Sequence, residues 1–220
     1  MLVGPGMASV VCKYVTSPRI VVATDGDEQS IQLTSYNVRL NSGSSGFGSS
    51  LGELSGELDR DMDLPVVALS ASCNIVPMVL YWGNTVHLEK ALGLLTTDAY
   101  TDMDADFDAT EPVSVTATRS AASASGDFPA GLGYDIVIMS DIVALVYTDA
   151  FDALLAAMKG LCKTSTVLYL VYQRRHSSEN QFFEKLDQCR CFYVTKLPRR
   201  AIHADFRHLP IFMYKLTPCC

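Results

Sequence analysis

Three stretches in the second half constrain the fold more than anything else in the chain: "YDIVIM" (residues 134–139), "FDALLAAMKGL" (151–161) and "TVLYLVY" (166–172). The first and third are continuous apolar runs of strand length. Between them Phe151, Leu154, Leu155, Met158 and Leu161 repeat at helical spacing. Strands apolar on every residue are buried on both faces. Alternated with amphipathic helices, they predict parallel strands joined by helical crossovers.

The rest of the chain fits that frame. Met7, Val10, Val11 and Tyr14 mark a helix after Gly4-Pro5-Gly6, and Ile20 to Ala23 reads as a short buried strand. Ile31, Tyr36, Val38 and Leu40 mark a helix starting near Glu28, and residues 74–81 a second strand. Phe182, Phe183 and Leu186 mark a helix over 178–188. "CFYVTKL" and "LPIFMYKL" follow as two strands joined by little but turn, which predicts an antiparallel pair. The expected fold class is α/β: a Rossmann-like, mostly parallel sheet with helices on both faces and a C-terminal antiparallel strand pair. A single domain over residues 1–220 is expected, with surface insertions near 42–64 ("NSGSSGFGSS" at its start) and 98–130.

Composition excludes some functions. A net charge of −7 argues against a nucleic-acid protein working through a broad basic face. The apolar run 66–82 is short and interrupted by Ser70, Ser72, Asn74 and Pro77, so no membrane span is expected. Seven cysteines without regular spacing and no secretory leader suggest reduced thiols and a cytoplasmic or nuclear location. Cys189-x-Cys191 and Cys219-Cys220 lack a second metal-spaced pair, so no metal is expected. The terminal pair also resembles a prenylation end but lacks a basic tail.

Four features could hold chemistry. Gly6 and Asp25 stand about twenty residues apart, the interval between a nucleotide-binding glycine turn and a ribose-binding acid. The alternative is a strand turn with a helix-capping aspartate. Trp82-Gly83-Asn84 ends another strand, where an indole can lie against an adenine or simply fill the core. Asp141 directly follows "YDIVIM", where ligands of open α/β sheets bind; it could equally cap the next helix. Tyr172, Arg174, Arg175 and His176 form a cluster suited to an anion, or a solvated loop. His87, His176, His203 and His208 show no ligand spacing.

Taken together, "GPGM", "VVATDGDEQSIQLTSYNVRLN", "VLYWGN", "YDIVIMSDIV" and "TVLYLVYQRRHSSENQFFEKL" resemble the class I (seven-strand) S-adenosylmethionine-dependent methyltransferases. The branch most similar is the small non-SET protein lysine methyltransferases. Asn37 and Asn41 after the Thr-Asp strand end, and Phe182-Phe183 after Tyr-x-Arg-Arg, belong to the same pattern. The resemblance implies S-adenosylmethionine as cofactor and a lysine of a protein substrate as acceptor. It places Gly4 and Gly6 at the methionine part, and Asp25 at the ribose with Gly26 and Asp27 beside it. Trp82 would lie near the adenine, Asp141 would border the methyl group and entering lysine, and Tyr172 with Arg174 or Arg175 would shape the substrate side.

Three positions depart from the family. The chain starts inside the glycine motif, so the family's first strand is expected to be missing. Ala144 stands where an aromatic is usual, with Tyr147 the nearest ring, and Gln173 stands where an acid is common. The missing start and Ala144 raise a second reading, a catalytically impaired homologue acting as a binding protein. A nicotinamide-dependent oxidoreductase shares the Gly-to-Asp spacing but would need a third glycine that Met7-Ala8-Ser9 does not supply.

Overall fold

The structure, a computed structural model, describes residues 7–16, 18–41, 75–96, 131–143 and 145–219. Gly4 and Gly6, both expected insertions and Ala144 lie outside the described residues. The elements in chain order are α1 (Met7–Thr16), β1 (Val21–Asp25), α2 (Glu28–Leu40), β2 (Ile75–Val79), α3 (Thr85–Gly93) and β3 (Tyr134–Ser140). There follow α4 (Phe151–Leu161), β4 (Cys162–Gln173), α5 (Glu179–Cys189), β5 (Phe192–Lys196) and β6 (Ile211–Pro218). A 3-10 helix, Leu145–Ala150, leads into α4, and two more, Arg199–Ala201 and Ala204–Phe206, join β5 to β6. The architecture is the expected α/β class. The chain forms two compact units, Met1–Tyr81 with Thr96–Val115 and Trp82–Leu95 with Thr116–Cys220.

In the first unit β1 and β2 pair in parallel, with Val21 opposite Ile75 and Asp25 opposite Val79. Val10 of α1, Val38 of α2, Ala23 and Ile75 pack into one cluster, so both helices share a face of this pair. The buried stripe of α2 is Ile31, Thr34 and Val38, at helical intervals. Tyr36 and Leu40, which the sequence pattern counts with that stripe, point outward, 47% and 65% exposed. Pro77 sits in β2, paired through one edge only among the described strands, where a missing N–H is tolerated.

In the second unit the strand order is β3-β4-β6-β5. β3 and β4 are parallel; β6 runs antiparallel to both β4 and β5. The final pair is thus antiparallel as expected, but β6 inserts between β4 and β5. β3, β4 and β5 point the same way, so their carboxyl ends share one edge. Thr166, Leu168, Leu170 and Tyr172, alternate residues of β4, are buried, the last three in one cluster with Phe151, Leu154, Met158, Phe182 and Leu186 of α4 and α5. Phe151 and Phe182 are fully buried and meet edge to face at 5.5 Å. Burial of each such ring is worth about 1.5–3 kcal/mol, and the pair geometry adds about 0.5–1.5 kcal/mol. The Tyr134 hydroxyl donates to Ala91 O, tying α3 to β3.

The α4–β4 junction has no slack. Thr166 Oγ1 accepts from Lys163 N at 2.8 Å and donates to Tyr134 O at 2.6 Å, bridging the irregular start of the β3–β4 register. A Cβ on Gly133 would lie 2.5 Å from Lys163 N and 2.7 Å from Cys162 C, both backbone atoms. Gly133→Ala is therefore expected to lower the stability by about 1–3 kcal/mol in denaturant titration, because backbone must move to admit the methyl. Cys162 is fully buried, and desolvation pushes its thiol pKa up to about 12 from 9.0. The folded state then holds this proton where the unfolded chain releases it. Its contribution to stability is complete below about pH 9 and is lost as pH rises to about 12. Denaturation curves across that window should fall less steeply for Cys162→Ala than for the parent.

Candidate functional site

At the carboxyl edge of the second unit, Asp141 follows β3 with φ 55, a left-handed conformation rare outside glycine and asparagine. It does not cap a helix. Its backbone N–H donates to Val171 O at 2.9 Å. Oδ1 accepts from Gln173 N at 3.0 Å, and Oδ2 accepts from Arg175 Nη2 at 3.0 Å. The turn that ends β3 thus clamps the end of β4, and the bonds hold the strained backbone in place. The Asp141 side chain is 28% exposed and Arg175 48%, so the pair faces solvent in part.

A second carboxylate braces the same loop from the other side. Glu179, the first residue of α5, is 2% exposed; its Oε1 accepts from Arg175 N at 3.0 Å and His176 N at 3.1 Å. Its Oε2 is buried without a partner among the described residues. Such an atom costs about 1–3 kcal/mol of desolvation. Sequence reasoning names Arg175 and passes over Glu179. The signal was an acid in the first turn of the helix after "RRHSS", a place that usually means no more than a favourable helix dipole.

Tyr172 lies in the core. It is 6% exposed, with its ring 5.7 Å from Phe183, 5.8 Å from Phe212 and 6.2 Å from Tyr214. Burial, then the neighbouring Tyr214 and Glu179, raise its pKa well above the ordinary tyrosine value, so the phenol stays protonated. Trp82 is half-buried and meets Tyr147, itself 41% exposed, edge to face at 5.1 Å. The next residue, Gly83, turns with φ 81, where a Cβ would press on Ala153 Cβ at 3.3 Å. Asn84 caps α3 by accepting from His87 N.

In the first unit, Asp25 ends β1 exposed to solvent. Its Oδ1 accepts from Asp27 N at 2.9 Å, and its carbonyl accepts from Leu80 N. Gly26 has only Tyr81 Cδ1 near a prospective Cβ, at 3.8 Å. Asp27 starts α2: its Oδ2 accepts from both Ser30 N and Ser30 Oγ, which hold its carboxyl below the usual range. Capping therefore falls to Asp27, and Oδ2 of Asp25 stays without a protein partner among the described residues.

The sequence-predicted residues divide by unit. Asp25 and Gly26 sit together at the end of β1. Asp141 and Arg175 are paired, Trp82 stands with Tyr147, and Tyr172 faces the core below the α5 helix. Among the described residues no group of three or more His, Cys, Asp or Glu side chains could hold a metal. No described helix is long and apolar enough to cross a membrane.

Strand-end acids in a mixed, Rossmann-like α/β fold define a class that binds ligands at the carboxyl ends of its strands. Residues 102–189, which contain β3, α4, β4 and α5, match the model of the lysine methyltransferase family. The matched segment includes Asp141, Tyr172, Arg175 and Glu179, and is consistent with the class I methyltransferase resemblance. No curated protein matches the chain.

Asp141→Ala should destabilise the protein by about 2–4 kcal/mol, since it removes a charge-assisted pair and a backbone acceptor at a left-handed residue. Asp141→Asn keeps an acceptor and tolerates that backbone, so it should cost less than half as much. Urea denaturation of the two variants checks the order.

Proposed function

We propose that the chain is an S-adenosylmethionine-dependent methyltransferase acting on a lysine of a protein substrate. The observation that carries the reading is the lysine methyltransferase family match over residues 102–189. The residues suit the cofactor's parts. Among the described residues Asp25 keeps one carboxylate oxygen uncommitted, available to accept from a ribose hydroxyl. Trp82 offers an aromatic edge of the kind an adenine packs against. Gly4 and Gly6 fall to the methionine part through the resemblance alone.

The cofactor, when bound, supplies an electrophilic methyl group. The chain's own share is alignment, which can account for about 7–11 kcal/mol of barrier lowering in favourable cases. The acceptor amine must be neutral although its free pKa is about 10.4, and desolvation and the positive charge of the cofactor both favour that form. Asp141, held by Gln173 N and Arg175, still has lone pairs with which to orient an amine. No side chain is assigned as a dedicated general base.

A second reading, a catalytically impaired homologue that binds without transferring, draws support from the burial of Tyr172 and from Ala144 in place of an aromatic. Calorimetry and transfer assays separate the two. Titration with S-adenosylmethionine should give a binding heat, and Asp25→Ala should weaken binding about tenfold or more through loss of charge-assisted hydrogen bonds. Radiolabelled methyl should appear on lysine in proteins of a cell extract. Binding without transfer favours the second reading; equal binding by Asp25→Ala overturns the Asp25 assignment.

A further inference from the structure

The connector between β5 and β6 stands out by charge. With the last residue of β5, residues 196–208, "KLPRRAIHADFRH", hold Lys196, Arg199, Arg200 and Arg207 against Asp205 alone, a net +3 with histidines neutral, in a chain of net −7. The connector lies at the carboxyl edge of the sheet, because β5 ends there and β6 starts there. It abuts the loop bearing the Asp141–Arg175 pair: Arg174 N donates to Pro210 O at 2.9 Å. Arg174, Lys196 and the three connector arginines are exposed.

This loop is built rather than loose. Arg199 Nη1 donates to Leu209 O and Ile211 O, and Arg207 donates to Ile202 O through Nε and to Arg200 O through Nη2. Ile202 anchors it, 9% exposed. Lys196 Nζ stands 4.3 Å over the Phe212 ring. All these acceptors are neutral carbonyls or rings, so they fix position without cancelling charge. Among the described residues none of Arg174, Lys196, Arg199, Arg200 and Arg207 is paired with a carboxylate. The connector's one aspartate, Asp205, faces His203 at 3.6 Å.

We propose that this connector, with Arg174, is a docking surface for an acidic stretch of the protein substrate, flanking the lysine to be methylated. The inference rests on the proposed protein lysine methyltransferase reading for the identity of that partner. A preformed cationic platform costs little ordering on binding and selects by charge. An acidic peptide fits better than a nucleic acid. The basic charge is confined to one short connector and a neighbouring loop, and the net acidity of the rest of the chain opposes a long polyanion.

The test uses the full chain and two labelled peptides of equal length, each with one central lysine, one flanked by glutamates and the other by glutamines. Anisotropy is read without a methyl donor. The glutamate peptide should bind about tenfold tighter at ~50 mM salt, and the preference should shrink at ~200 mM. Arg174→Glu with Arg200→Glu should abolish the preference, while Arg174→Lys with Arg200→Lys retains most of it. Among the described residues neither side chain makes a hydrogen bond, and thermal melts matching the parent verify that the variants are folded.

Equal affinity for the two peptides, or a preference that survives charge reversal, overturns the proposal. So does tighter, equally variant-sensitive binding of a single-stranded oligonucleotide, which would make the surface one for nucleic acid. Glutamate preference in a chain that transfers no methyl supports the surface while removing the enzyme. Transfer indifferent to flanking acids removes the surface and leaves the enzyme.

Discussion

Three of the four backbone amides from Gln173 to His176, at the end of β4, take no partner in a sheet ladder, and the edge of the second unit depends on how they are satisfied. Gln173 N goes to Asp141, Arg174 N to Pro210 O, and Arg175 N and His176 N to Glu179. An unpaired buried amide costs about as much as a lost hydrogen bond. Two carboxylates from different elements therefore do what a helix cap or a further strand would otherwise do. The Arg175 guanidinium then closes the circuit by returning to Asp141. Loop, strand end and helix start are held as one rigid piece, which is what a site at this edge needs from its scaffold.

The cost of this arrangement falls on Asp141 and Glu179. Asp141 accepts a left-handed backbone, and Glu179 leaves Oε2 buried and, among the described residues, unpartnered. Both are local violations of otherwise consistent chemistry, and such violations gather where a fold serves something besides its own stability. Beneath them the structure is conventional: Tyr172, Phe183, Phe212 and Tyr214 form an aromatic layer between the sheet and α5, with Phe182 and Phe151 continuing it toward α4.

Most elements were legible because their signal is periodic. The helical spacing of Phe151, Leu154, Leu155 and Met158 and the apolar run 166–172 translate directly into α4 and the core of β4. Position within the sheet is a different kind of information. Proximity in sequence suggests that β5 and β6 are neighbours, but nothing in their residues says that β6 lies between β5 and β4. Tyr172 was legible in part: it shares the parity of Leu168 and Leu170, and strand pleating alone puts all three on one face. Glu179 was not legible, since a first-turn acid reads the same whether it faces water or two loop amides.

The position of β6 also explains why charge can gather where it does. If the chain after β5 continued as another parallel strand, its crossover would leave the carboxyl edge and return through the opposite end of the sheet. An immediate antiparallel return keeps residues 197–210 at the edge where β3, β4 and β5 end. The sheet thereby gains one more loop at its ligand-binding end without another helix. That loop is not constrained by core packing except at Ile202 and half-buried Leu197, Phe206 and Leu209. Its remaining positions are free to be charged, and the arginines that staple it to carbonyls stay cationic while doing so. Rigidity and net charge, which usually oppose each other in a surface loop, are supplied here by the same side chains.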